Sequence, residues 1–266
     1  MTVNNTANPI GVFDSGVGGL SVLREIRREL PGENLIYVAD SAHAPYGDKS
    51  SEFIEARSVA IIEFLISRQA KAIVVACNTA TGAAVTSLRS QFSLPIIAME
   101  PAVKPAVANT QSGVIGVLAT SRTLTSQNFV KLFNRFGEQV DILMQACPGL
   151  VEQVEEGDLT GDKTRKLLEQ YLFSLLHRGA DTIVLGCTHY PFLTALIKDI
   201  AGPSVCVIDP SAAIARELRR RLIAAQLLSD FSDAGFDQFW TSHKPEKVSP
   251  VMSLLWQADI HVFEMP

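Results

Sequence analysis

Short apolar runs alternate along this chain with stretches whose apolar residues recur every three or four positions. Residues 9–14 (PIGVFD) form one such run and end on a polar cluster. Leu20, Leu23, Ile26 and Leu30 follow at helical spacing, and Pro31-Gly32 closes that helix. The same reading predicts strands at 34–40, 71–77 and 94–100, then at 113–119, 140–147, 181–187 and 204–209. Helices are expected at 51–69, 81–92 and 211–228 and between the later strands, with residues 41–49 a loop around Pro45-Tyr46-Gly47. The tail, 236–266, gives two weaker strands around a short helix. Unbroken apolar strands alternating with helices predict α/β architecture, with parallel sheets covered on both faces.

The pattern repeats internally. Residues 70–78 (AKAIVVACN) align with 180–188 (ADTIVLGCT), matching at Ala70/Ala180, Ile73/Ile183, Val74/Val184 and Cys77/Cys187. Ile10-Gly11-Val12 matches Ile115-Gly116-Val117 at nearly the same offset. We therefore expect two similar doubly wound units with a cleft between them. Residues 1–98 with 211–266 form the first and 99–210 the second, so the C-terminal segment packs back onto the first unit.

Composition narrows the function classes. The chain has 266 residues, 47% hydrophobic and 19% charged, which is an ordinary globular balance. Its net charge of −5 argues against a nucleic-acid partner held by phosphate contacts. No run approaches the ~18 apolar residues of a membrane span. Residues 1–9 hold no Lys or Arg and lead into no signal-like apolar run, so secretion is not expected. Four cysteines without C-x-x-C spacing do not make a disulfide framework and point to a reducing cytoplasm.

In open parallel sheets, ligands bind beyond the carboxyl ends of the strands. Asp14-Ser15, Asp40, Cys77-Asn78-Thr79, Thr120 and Cys187-Thr188-His189 all fall at such ends. The turn Asp14-Ser15-Gly16-Val17-Gly18-Gly19 enters a helix, but Ser21 stands where a dinucleotide fingerprint needs its last Gly, and no Lys-Ser/Thr follows for a P-loop. Free N–H groups there can hold a phosphate or a small carboxylate; the plainer reading is a tight turn with Asp14 as helix cap. Cys77 and Cys187 each precede an expected helix start, a position that favours the thiolate. As a repeat-related pair they can work on two faces of one carbon, one thiol giving a proton while its partner takes one. His189 can relay or tune the proton of Cys187. A zinc site from Cys77, Cys187 and His189 lacks the spacing of a structural module, and a cysteine-nucleophile hydrolase leaves the second Cys unexplained. Cys147 and Cys206 read as structural. His43, His177, His243 and His261 carry no legible motif, and Arg216, Arg219, Arg220 and Arg221 read as a solvated helix face or an interface.

The segments 11–19 (GVFDSGVGG), Pro45-Tyr46-Gly47, 76–81 (ACNTAT) and 186–191 (GCTHYP) resemble the signature segments of the glutamate racemase family. The resemblance runs from about residue 10 to 210, in the family's order. It implies a cofactor-independent, metal-free enzyme that interconverts L- and D-glutamate, the D-form serving peptidoglycan, as a monomer or homodimer. It makes Cys77 and Cys187 the two bases, with Cys187 working on the L-enantiomer. Asp14 would assist Cys77 and His189 would assist Cys187. Asp14, Ser15, Tyr46, Gly47, Asn78, Thr79, Thr120, Thr188 and His189 would bind glutamate, and Asp40 would have a secondary role. One segment departs: this chain reads Cys147-Pro148-Gly149-Leu150-Val151-Glu152-Gln153-Val154-Glu155. Counting along the motif puts the assisting carboxylate at Glu155, with Glu152 as competitor.

The chemistry agrees with the resemblance. An α-proton is weakly acidic, so the developing charge needs strong stabilisation, and donors at Ser15, Asn78, Thr79 and Thr188 can hold the carboxylate oxygens. Pyridoxal phosphate would need a Schiff-base Lys, and no Lys ends a strand in these motifs. A racemase of the same superfamily acting on aspartate or another acidic substrate is the nearest alternative; aspartate relatives tend to carry Glu where His189 stands. A non-catalytic carboxylate-binding protein is the second.

Overall fold

The computed structural model describes residues 6–230 and 233–266; positions 1–5 and 231–232 of the first expected unit lie outside the described residues. Among the described residues, ten strands and eleven α-helices are interleaved. The strands are β1 (Ile10–Asp14), β2 (Leu35–Ala39), β3 (Ala72–Val75), β4 (Ile96–Ala98), β5 (Val114–Ala119), β6 (Asp141–Ala146), β7 (Thr182–Leu185), β8 (Cys206–Ile208), β9 (Asp237–Thr241) and β10 (Val262–Glu264). The helices are α1 (Leu20–Glu29), α2 (Ser51–Ser67), α3 (Asn78–Gln91), α4 (Val103–Asn109), α5 (Ser121–Thr125) and α6 (Gln127–Phe136), followed by α7 (Leu150–Glu155), α8 (Asp162–His177), α9 (Thr194–Ala201), α10 (Ser211–Ala224) and α11 (Pro245–Trp256).

All strand pairs are parallel, in two sheets of order β10-β9-β2-β1-β3-β4 and β6-β5-β7-β8. The run β2-β1-β3-β4 has the same order as β6-β5-β7-β8, so the sequence repeat is a repeat of topology. Registers agree as well: Gly11 lies opposite Ile73, and Gly116 opposite Ile183. The tail strands β9 and β10 extend the first sheet beyond β2, and α10 packs on α1, where Arg219 reaches Glu29 at 3.7 Å. Arg220 and Arg221 turn back to Glu217 on the exposed side of α10.

The central strands are buried along their whole length, β1 and β3 in the first sheet and β7 in the second. Gly11 and Gly116 let a helix lie directly on each sheet. A Cβ at Gly11 would meet Leu65 of α2 at 2.8 Å and Ile73 at 3.0 Å; one at Gly116 would meet Leu175 of α8 at 2.8 Å and Ile183 at 2.9 Å. Overpacking of this kind costs about 1–3 kcal/mol. Gly11→Ala and Gly116→Ala are therefore each expected to destabilise the fold by that amount in urea titrations, with the m-value unchanged. Wild-type midpoints would show that the helices sit further off the sheets.

Two local expectations are corrected. Helix α3 begins at Asn78, three residues before the predicted start. Cys77 takes an extended backbone and its Sγ accepts the Ala80 N–H at 3.4 Å, capping the helix early. Cys206 is not a buried structural residue; it opens the edge strand β8 and is exposed. Among the described residues no helix is long and apolar enough to cross a membrane.

Candidate active site

The carboxyl ends of β1, β3 and β7 face one another across the two sheets and carry Asp14, Cys77 and Cys187. Both thiols are nearly enclosed, with 4% and 6% of their surface exposed, and they follow strands of different sheets, β3 and β7. They lie close enough to interact electrostatically.

Around Cys77, the thiol donates toward Ser15 Oγ at 3.6 Å, and the Ser15 hydroxyl faces Asp14 Oδ1 at 3.4 Å. Asp14 is fully buried; its Oδ2 accepts the Gly19 N–H at 2.7 Å and the Thr188 hydroxyl at 3.2 Å. Asp14 therefore ties the glycine turn to β7's far end as well as closing the turn. Burial pushes the Cys77 thiol well up, and the Asp14 carboxylate adds to this; the Ala80 N–H opposes it without prevailing. The expectation that the helix start favours the thiolate is overturned here, because desolvation outweighs the helix end. Burial likewise raises Asp14.

Around Cys187, the thiol meets His189 Nδ1 at 3.7 Å, and His189 Nε2 meets Glu155 Oε1 at 2.7 Å. The same Glu155 oxygen accepts the Val17 N–H of the glycine turn at 2.8 Å. Burial works against a charged His189, but Cys187 and Glu155 on its two sides outweigh it and hold it well above the usual histidine range. Glu152, one turn earlier on α7, lines a cavity of about 320 Å³ together with Glu155, Val17, Pro45 and Val151. The glycines of the turn leave room for this pair: a Cβ on Gly16 would fall on the Glu155 carboxylate, and one on Gly18 on the His189 ring.

Hydroxyls close the rest of the cleft. Thr79 Oγ1 lies 3.0 Å from Thr120 and 3.3 Å from Thr123, and those two lie 2.9 Å apart. Asn78 is buried beside Cys77 with both amide atoms unpartnered. Cys77, Cys187 and His189 do not form a metal site, and among the described residues no other group of three or more such ligands does.

Two thiols, each with its own polar partner, face one cleft, an arrangement suited to proton transfer on two faces of a carbon. Comparison with known proteins places the chain in a family. The model of the Asp/Glu/hydantoin racemase family matches residues 10–218. The glutamate racemase of Methylococcus capsulatus is 56% identical over 259 residues, covering 97% of this chain and 96% of its own. The chain belongs to the Asp/Glu/hydantoin racemase family. Glutamate racemases are also similar in structure. The RacE1 isoform from Bacillus anthracis has a TM-score of 0.90 at 33% identity, with 98% of each chain covered. The enzyme from Francisella tularensis, solved in complex with D-glutamate, has a TM-score of 0.85 at 29% identity, again over 98% of each chain.

Within this family member the signature residues gather, with one exception in orientation. Tyr46 turns its hydroxyl away from the cleft to Asp40, at 2.5 Å, and is itself buried in the first unit's core. Only the backbone of its turn, and Gly47 beside Thr120, face the opposite unit. Several contributors lie outside the expected site residues. Tyr37 of β2 donates its hydroxyl to Gly16 O at 2.6 Å, fixing the glycine turn from below. Ser21, the residue that breaks the dinucleotide fingerprint, shares its one hydroxyl proton between Gly18 O and Thr188 O, both at 2.9 Å, and so links the glycine turn to the segment after β7. Its departure from the glycine pattern was the available signal. Cys147, expected to be structural only, is buried at the end of β6, near enough to Cys187 that the two interact.

Proposed function

We propose that this chain racemises glutamate without a cofactor, Cys187 taking the α-proton of the L-enantiomer and Cys77 that of the D-enantiomer, and so supplies D-glutamate for peptidoglycan in the cytoplasm. The observation that carries this reading is the asymmetric provision for two thiols: Asp14 and Ser15 at Cys77, His189 and Glu155 at Cys187. His189 can receive the Cys187 proton and return it, while burial keeps Cys77 protonated as the donor. Turnover starting from the D-enantiomer runs the same two steps backwards.

Binding follows from what the cleft offers. Asn78's free amide and the N–H groups at Ser15 and Thr79 suit an α-carboxylate whose charge spreads onto oxygen in the transition state. The Thr79–Thr120–Thr123 hydroxyls and the Thr188 hydroxyl can exchange their mutual bonds for bonds to substrate. The thiols are enclosed, so the unit 99–210 must swing from the unit formed by 1–98 and 211–266 to admit glutamate. Closure then excludes water and strengthens every polar contact around the developing carbanion. We propose no nucleic-acid, membrane or metal partner, and a monomer or homodimer.

The test is a racemisation assay on all four enantiomers of glutamate and aspartate, followed by polarimetry. We expect both glutamate enantiomers to be converted to a one-to-one mixture and aspartate to turn over at least 100-fold more slowly in kcat/KM. Faster turnover of aspartate would move the chain to the aspartate branch, and inactivity on all four would leave a carboxylate-binding protein.

A further inference from the structure

Arg57 lies on α2, outside every signature segment, and its guanidinium forms a two-pronged pair with the buried carboxylate of Asp40: Nη2 to Oδ1 at 2.8 Å and Nε to Oδ2 at 3.1 Å. Asp40 follows β2 and is fully buried. Its backbone N–H donates to Asp14 O at 3.0 Å, so it stands next to the site. Its Oδ2 accepts the Tyr46 hydroxyl at 2.5 Å, and Oδ1 meets His43 Nδ1 at 3.0 Å. Tyr46 opens the turn that brings Gly47 within 3.6 Å of Thr120 across the cleft, measured to a Cβ built on Gly47.

We infer that Arg57 is a positioning residue for substrate binding: it keeps Asp40 a carboxylate, which anchors the Tyr46 hydroxyl and so fixes the Tyr46–Gly47 backbone over the cleft. The inference rests on the glutamate reading above. The physical case is that a buried lone carboxylate neutralises itself by taking a proton. Protonated, Asp40 would lose the charge-assisted bond to Tyr46, which is the stronger kind. The groups facing Asp40 are Arg57 from α2, Tyr46 and His43 from the turns after β2, and Ser242 from the segment after β9. Burial alone would raise Asp40; Arg57 first, then Tyr46, Ser242 and His43, outweigh it and hold the carboxyl below its ordinary value. No other group in that set carries a permanent positive charge.

Steady-state kinetics of the full-length protein test this. Arg57→Met should raise KM for glutamate about tenfold or more, the size of one charge-assisted hydrogen bond, and leave kcat within about threefold. That KM should climb as pH falls, because Asp40 freed of Arg57 takes up a proton at a higher pH than in the wild type, while wild-type KM stays flat over the same range. Asp40→Asn combined with Arg57→Met should bring KM back to within about threefold of wild type and flatten its pH profile. The amide still accepts from Tyr46 and needs no counter-charge, and His43 is unchanged in this pair, so a dependence due to His43 would persist. Should Arg57→Met not fold, Arg57→Lys carries the test: charge kept, fork lost, KM raised at least threefold at constant kcat. A fall in kcat at constant KM, a wild-type KM in the single variants, or a double variant no better than Arg57→Met overturns the inference. Absence of racemisation by the wild type would instead overturn the glutamate reading.

Discussion

Cys77→Ala and Cys187→Ala are each expected to lose at least about 10³-fold in kcat in both directions, in line with the loss of a general acid or base. Both should retain the wild-type circular dichroism spectrum. The structure gives the reason that neither thiol can cover for the other: they stand in opposite units, and each is served by its own polar group. Cys77 faces Ser15 and Asp14, whereas Cys187 faces His189. Replacing buried Cys by Ala removes one sulfur, a small change to a packed core, so the loss of activity should not be a loss of fold. The two variants should differ in what remains. Cys77→Ala keeps the group that attacks L-glutamate, so it should still exchange the α-proton of the L-enantiomer with solvent; Cys187→Ala should do so only for the D-enantiomer. Proton NMR in D₂O reads this directly. Near-wild-type racemisation in either variant would remove that thiol from the mechanism.

The second large effect is isotopic. When protiated L-glutamate is racemised in D₂O, the first D-glutamate formed should carry deuterium at Cα almost completely. The L-glutamate remaining at that stage should be almost wholly protiated. One sulfur removes the original proton and holds it, with His189 beside it, while the other supplies a solvent-derived one from the opposite face. A single base working on both faces would hand part of the original protium to the product. Chiral separation and mass spectrometry at a few per cent conversion distinguish the two. Substantial protium in early D-glutamate would defeat the two-thiol scheme even if both cysteines proved essential.

The strand ends and the pair of cysteines were legible because they rest on local signals: apolar runs, a glycine turn, and a repeat that recurs in register as Gly11–Ile73 and Gly116–Ile183. Glu155, which the motif count favours over Glu152, hydrogen-bonds His189. The role of that oxygen at Val17 N was not legible, because it joins residues far apart in the chain. Arg57 and Tyr37 were missed for the same reason; each acts through a single long-range contact and lies in an otherwise ordinary helix or strand. Cys206 was misjudged because an apolar run cannot say whether its strand lies at the centre or the edge of a sheet. The Cys77 thiol was expected to ionise more easily than normal, since a helix start is visible in sequence and the surrounding desolvation is not.

One atom, Glu155 Oε1, holds both the Val17 N–H of one unit and His189 of the other. Val17 belongs to the glycine turn after β1, whereas Glu155 and His189 both lie between β6 and β8. The Val17 N–H is thus the glycine turn's own hold on the carboxylate that orients the imidazole beside Cys187. A shift of that turn, which also carries Asp14 and Ser15 beside Cys77, is felt at both thiols through one oxygen atom.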